Sequence, residues 1–176
     1  MTKADHTLLA IDTVVNPHTS EIVKMRPEWS GRFHKGKFGR DDSVMQGYSY
    51  EEMLRQMDSA RIEKAFLVAN KTGQLGLKGS WHLPYEIVAK AVQKFPDRFY
   101  GLAGLDPTEG MAGVYALTEA VERYGFIGAH GYPHWFELPP DNARWYPFYS
   151  KCVELDIPIL LQVCLLYTSP SPRDVR

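Results

Sequence analysis

A chain of 176 residues has room for one ordinary domain with a real core and is short for two. Apolar residues make up 44% of it and charged residues 23%, the balance of a soluble globular protein, and the formal net charge is only −1. That balance excludes the electrostatic footprint of a nucleic-acid binder or of a protein lying on an acidic membrane, and no apolar run approaches the roughly 20 residues that span a bilayer.

The N-terminal stretch MTKADHTLLAIDTVV has too short an apolar region for a secretory signal and no small-residue cleavage site after it. Cys152 and Cys164 do not make a disulfide framework. Cys152 falls on the apolar face of a predicted helix, where a buried thiol behaves as a small hydrophobe. The expected setting is the cytoplasm.

Residues 8–15 (LLAIDTVV) are apolar and β-branched and predict a buried first strand, ending at Asn16-Pro17. Residues 18–48 show no sustained period and hold Trp29, His34, several cationic residues and four glycines. They read as a long loop hanging over the end of that strand. Ser49-Tyr50-Glu51-Glu52 has the pattern of a capping box and opens a helix carrying Met53, Leu54 and Met57. Residues 64–70 (KAFLVAN) predict a second strand. The glycine-rich stretch 73–79 lacks the Lys-Ser/Thr ending of a phosphate loop and reads as a plain loop.

A helix is expected over residues 84–94, with Pro84 tolerated in its first turn. A strand follows over residues 98–105 and then a helix over residues 111–124, with Gly125 as its C-cap. The fourth strand, residues 126–130, runs into a loop containing His130, Tyr132 and His134. A helix carrying Trp145, Phe148, Tyr149 and Cys152 leads to a fifth strand at residues 158–163, with Gln162 near its end. Alternating strands and helices call for a parallel sheet covered by helices. Either an open doubly wound sheet or the first half of a (β/α)8 barrel satisfies the pattern. The missing GxGxxG after the first strand weakens a dinucleotide-binding version.

In such folds ligands collect at the carboxyl ends of the strands. The polar residues falling there include Asp12, Asn16, His18, Asn70, Lys71, Asp106, His130, Tyr132, His134 and Gln162. Asn16-Pro17 and Asp106-Pro107 are also ordinary turn initiators. Two imidazoles and a phenol within five residues make His130, Tyr132 and His134 the densest group.

Four stretches carry a family resemblance: IDTVVNPHT, KAFLVAN, FPDRFYGLAGLDP, and GFIGAHGYPHWF followed by DNARWYPFYSKCVELDIPILLQV. Together they resemble the amidohydrolase-related family of metal-dependent hydrolases and decarboxylases. The resemblance runs over residues 7–163. It implies a partial TIM barrel, strands 1 to 5 of a fold that takes about 250 residues in full. Residues 164–176, with their Ser-Pro-Ser-Pro core, then read as a non-native or disordered tail.

The resemblance also implies a zinc-type divalent metal, held by a His-x-His at the end of the first strand and by a histidine on the fifth. This chain has Val14, Asn16 and Gln162 at those positions, and neither valine nor an amide is a usual zinc ligand. No metal ligand is therefore assigned. The implied activity is that of a hydrolase or decarboxylase acting on small organic acids or cyclic substrates. His130, His134 and His18 are the candidate acid–base residues, and Asn16, Tyr132 and Gln162 the candidate substrate-binding residues. The expected partner is a small-molecule substrate, with neither nucleic acid nor membrane, and the full-length parent is compatible with an oligomer. Two alternatives stay open: a degenerate barrel that binds a ligand or partner without catalysis, and a small open-sheet domain.

Overall fold

The computed structural model describes residues 9–38, 46–77 and 79–162. Leu8, Val163 and the tail 164–176, all subjects of sequence expectations, lie outside the described residues. In chain order the strands are β1 (Ala10–Val15), β2 (Ile62–Ala69), β3 (Lys71–Thr72), β4 (Trp81–His82), β5 (Phe99–Gly104), β6 (Gly128–Gly131) and β7 (Ile159–Leu161). The helices are α1 (Ser20–Met25), α2 (Glu28–Phe38), α3 (Tyr50–Ser59), α4 (Tyr85–Lys94), α5 (Met111–Glu122) and α6 (Tyr146–Glu154).

Five of the strands form one parallel sheet in the order β1-β2-β5-β6-β7, and β3 and β4 form a separate antiparallel hairpin. Each sheet strand therefore lies beside the one before it. A doubly wound sheet reverses its direction of growth part way along; this sheet grows one way only, as the staves of a (β/α)8 barrel do. Sequential order removes the open doubly wound alternative, and the fold is a half barrel.

The core lies between this sheet and the helices. Met53 and Met57 of α3, Val88 and Ala91 of α4, and Leu117 of α5 meet Ala65, Leu67, Phe99 and Ala103 of the strands in one buried cluster. Trp145, Phe148 and Cys152 extend it under the last crossover. Gly104, at the end of β5, is dictated by close approach: a Cβ there would lie 2.0 Å from the Ala69 carbonyl oxygen of the neighbouring strand.

Helix ends follow local rules, with one correction. Ser49 Oγ accepts the Glu52 N–H at 3.1 Å, as the capping-box pattern predicts. The Glu52 carboxylate, however, turns to Arg55 and Gln56. The α5 end is closed by Gly125 at φ +67°, with Phe126 N–H donating to Ala120 O at 3.0 Å.

A second correction concerns residues 18–48, expected as loop. Much of that stretch is helical, in α1 and α2. Thr19 caps α1, its Oγ1 accepting the Ile22 N–H at 3.4 Å, and Ile22 is fully buried. Trp29 of α2 donates from Nε1 to the Gly79 carbonyl at 2.8 Å, and its ring lies 5.1 Å from that of Trp135. Tertiary anchoring at a few residues thus holds helices that have no apolar stripe of their own. It also brings α2 against the β3–β4 turn and the loop that follows β6.

Candidate active site at the carboxyl ends of the strands

Asn16 follows β1, Asn70 follows β2, and Tyr132 follows β6, so a parallel sheet delivers all three to the same edge. The Tyr132 hydroxyl donates to Asn70 Oδ1 at 2.8 Å and lies 3.1 Å from Asn16 Oδ1. Burial pushes the Tyr132 phenol up from its ordinary pKa, against the opposing pull of the Asn16 hydrogen bond and of Arg26. It is a neutral hydrogen-bond donor at any physiological pH.

His130, in β6, packs its ring 4.4 Å from the Tyr132 ring. The residue is buried, and neither ring nitrogen has a hydrogen-bond partner among the described residues. Burial pushes the imidazole pKa down to about 4, so the ring is neutral at pH 7. A neutral imidazole has one donor and one acceptor nitrogen. A cleft of about 490 Å³ reaches it, lined by His130, Val14, Leu160, Leu161 and Gln162.

The other predicted residues are placed as follows. His134, in a short turn over Pro133–Trp135, has its pKa lowered by burial, opposed by a hydrogen bond to the Gln162 backbone. Gln162 is exposed, and its N–H donates to the Gly131 carbonyl at 2.9 Å, which ties the end of β7 to β6. His18 is buried, with its ring 5.8 Å from that of Tyr48, and is not part of the cleft lining. The structure therefore brings Asn16 and Tyr132 together and sets His130 beside them.

Two features escaped the sequence. Arg26, at the end of α1, donates from Nη2 to the Pro17 carbonyl at 2.9 Å, and its guanidinium lies 5.1 Å from the Trp81 ring centre. Burial lowers its pKa, while Tyr48 and Tyr132 nearby raise it. Its buried Nε has no partner among the described residues, which leaves a cationic donor close to Tyr132. The second feature is the β3–β4 hairpin, which carries Lys71 and His82 to Asp106 and Glu109 beyond β5. Lys71 Nζ donates to Glu109 Oε2 at 2.5 Å, and His82 Nε2 lies 3.5 Å from Asp106 Oδ2.

The divalent metal implied by the family resemblance does not fit the cleft. Its lining offers one imidazole and one amide among a valine and two leucines, and the Asn16 oxygen is already engaged by Tyr132. Zinc and its neighbours take imidazole, thiolate and carboxylate. No chemistry is routed through a metal there.

Comparison with known proteins agrees with the fold. Residues 44–172 match the family model described as Amidohydrolase. The 2-keto-4-carboxy-3-hexenedioate hydratase of a Sphingobium species is 39% identical over 85 residues, 44% of this chain and 25% of that protein. The gamma-resorcylate decarboxylase of a Rhizobium species is 24% identical over 143 residues, 76% of this chain and 39% of that one. In structure, the 5-carboxyvanillate decarboxylase of Novosphingobium aromaticivorans, complexed with manganese and 4-hydroxy-3-methoxy-5-nitrobenzoic acid, superimposes with a TM-score of 0.66 at 21% identity, covering 90% of this chain and 51% of that one. The chain spans at most about half the length of these relatives. Since the family model covers most of its residues, the chain belongs to the amidohydrolase family.

Proposed function

We propose that this chain contributes to a lyase that acts on a small aromatic or unsaturated carboxylic acid by proton transfer at carbon, as hydratases and decarboxylases do. The observation that carries the reading is His130: a buried neutral imidazole with neither nitrogen hydrogen-bonded among the described residues, facing a cleft beside a buried phenol. A buried polar group without partners is uncommon in a stable core and marks a place where a ligand completes the bonding.

In this reading His130 accepts the proton of the incoming water or returns one to the substrate carbon. Tyr132 spends its one hydroxyl hydrogen on Asn70 and Asn16, so its phenol oxygen is left to accept a hydrogen bond from a substrate hydroxyl. Arg26 supplies the positive charge that attracts the substrate carboxylate. His134 and Gln162 shape the loop and strand end that border the cleft. The names of the relatives support the substrate class, two acting on aromatic acids and one on an unsaturated keto acid. The degenerate-barrel alternative has the unsuitable metal positions in its favour, since a site without the family's ion has lost that ion's contribution to catalysis.

The test is turnover of small hydroxybenzoates and conjugated keto acids, read as carbon dioxide release and as loss of ultraviolet absorbance. Catalysis lost in His130→Gln and weakened in Tyr132→Phe is expected. Binding without turnover of any such acid, or turnover indifferent to His130→Gln, overturns the proposal in favour of a binding module.

A further inference from the structure

The group at the β3–β4 hairpin is separate from the His130 cleft and has its own logic. Asp106 is fully buried, and its two oxygens are treated differently. Oδ1 accepts from the Thr108 N–H at 2.7 Å and from the Thr108 hydroxyl at 2.6 Å. Oδ2 is buried with no hydrogen-bond partner among the described residues.

His82 and Glu109 repeat the division. A carbonyl can only accept, so the His82 nitrogen 2.9 Å from Gly73 O, Nε2, carries the proton. That leaves the Nδ1 lone pair, 3.8 Å from Glu109 Oε1. On Glu109, Oε2 is taken by Lys71 at 2.5 Å, and Oε1 is left over. Each of the three side chains thus has one heteroatom in a hydrogen bond and one without a hydrogen bond among the described residues. A donor atom from each lies within 4.8 Å of the other two.

The Nδ1, Oδ2 and Oε1 lone pairs repel one another, with only the His82 Nε2–H, 3.5 Å from Oδ2, to offset it; a cation at their centre reverses the sign. Donors bound about 2.0 to 2.2 Å from one ion stand roughly 3 to 4 Å apart; Nδ1 and Oε1, 3.8 Å apart, have that spacing, and the three residues' donors lie within 4.8 Å of one another. A ligating histidine typically donates its other N–H to a carbonyl or carboxylate, the role Gly73 plays for His82. The local charge also permits it, because Lys71 offsets only one of the two carboxylates.

We infer that His82, Asp106 and Glu109 form a mononuclear site for a divalent first-row cation of the Zn²⁺ or Mn²⁺ type, at the carboxyl ends of β2 and β5 and away from the positions where the family resemblance places its metal. Imidazole with two carboxylates is a donor set that suits either ion. The inference stands whether or not the chain has the lyase role proposed above.

The test is direct binding to the full chain. Mn²⁺ is titrated in and the free ion read by its paramagnetic resonance signal, with Zn²⁺ as competitor. A single site per chain is expected, weakened at least about tenfold in Glu109→Gln and in Asp106→Asn. Thermal melts without metal accompany each variant, and His82→Gln serves where the Asp106 change disturbs folding. Gln162→Ala should keep the site. No binding at millimolar ion, or binding lost in Gln162→Ala and kept in Glu109→Gln, overturns the assignment.

Discussion

Tyr132 and Asn70, 62 residues apart in the chain, share a buried hydrogen bond of 2.8 Å across the carboxyl ends of β6 and β2. Both residues lie just beyond the last paired residue of their strands, Ala69 and Gly131, where the ladder no longer dictates side-chain position. The bond therefore sets the ring of Tyr132, and through ring contact it bounds the space left to His130. Tyr132→Phe removes the hydroxyl and strands a buried amide oxygen. It should lower stability by about 1–3 kcal/mol, seen as a lower urea midpoint at unchanged slope.

His130 should make stability depend on acid. Its pKa is about 4 in the folded chain against 6.5 when exposed, so below 6.5 the unfolded chain holds the extra proton. Stability is then full above about pH 6.5 and falls as pH drops toward 4, by up to about 3 kcal/mol from this group. Unfolding curves taken from pH 7 to pH 4 should show a shallower loss in His130→Gln than in the parent.

Cys152 should be chemically silent in the folded chain. Burial pushes its thiol up to about 11, against the ordinary value near 8.5. With Cys164 replaced by serine, labelling at pH 8 by a thiol reagent should run at least about 100-fold slower than in denaturant. Native labelling at the unfolded rate contradicts the packing of α6.

Gly104→Ala should be poorly tolerated. The new Cβ would meet a backbone carbonyl at 2.0 Å, and strand backbone cannot rotate away as a flexible side chain can. The expected loss is about 1–3 kcal/mol or more, measured as a drop in melting temperature. Gly76→Ala makes the comparison, since nothing among the described residues lies within 4 Å of its Cβ position. Its φ of +92° gives strain without a clash.

Most of the sheet and α3 to α6 can be read from the chain because the signals are local: apolar runs for strands, a serine cap for α3, a glycine end for α5. α1 and α2 escape that reading because their support comes from afar, as in the Trp29 contacts with Gly79 and Trp135. The histidine and tyrosine beyond β6 are conspicuous by their density. Arg26 is not, since nothing in the local pattern of an arginine at a helix end announces that it is half-buried near a tyrosine 106 residues on. The His82, Asp106 and Glu109 group is hidden for a similar reason. It depends on a hairpin of two-residue strands, too short to show alternation, folding back over the end of β5.

The sequential strand order has a consequence for synthesis. Each strand pairs with one already made, so the half barrel can be laid down in the direction of translation, unit by unit, without waiting for a distant partner. The approach of Tyr132 to Asn16 departs from that economy, because it joins residues 116 apart. Secondary structure and sheet pairing can thus be complete as far as β5 while the candidate active site is still unassembled. It takes shape only when β6 emerges, so a nascent chain stalled before residue 132 would carry the His82, Asp106 and Glu109 group but lack Tyr132 and the bonds it makes to Asn16 and Asn70.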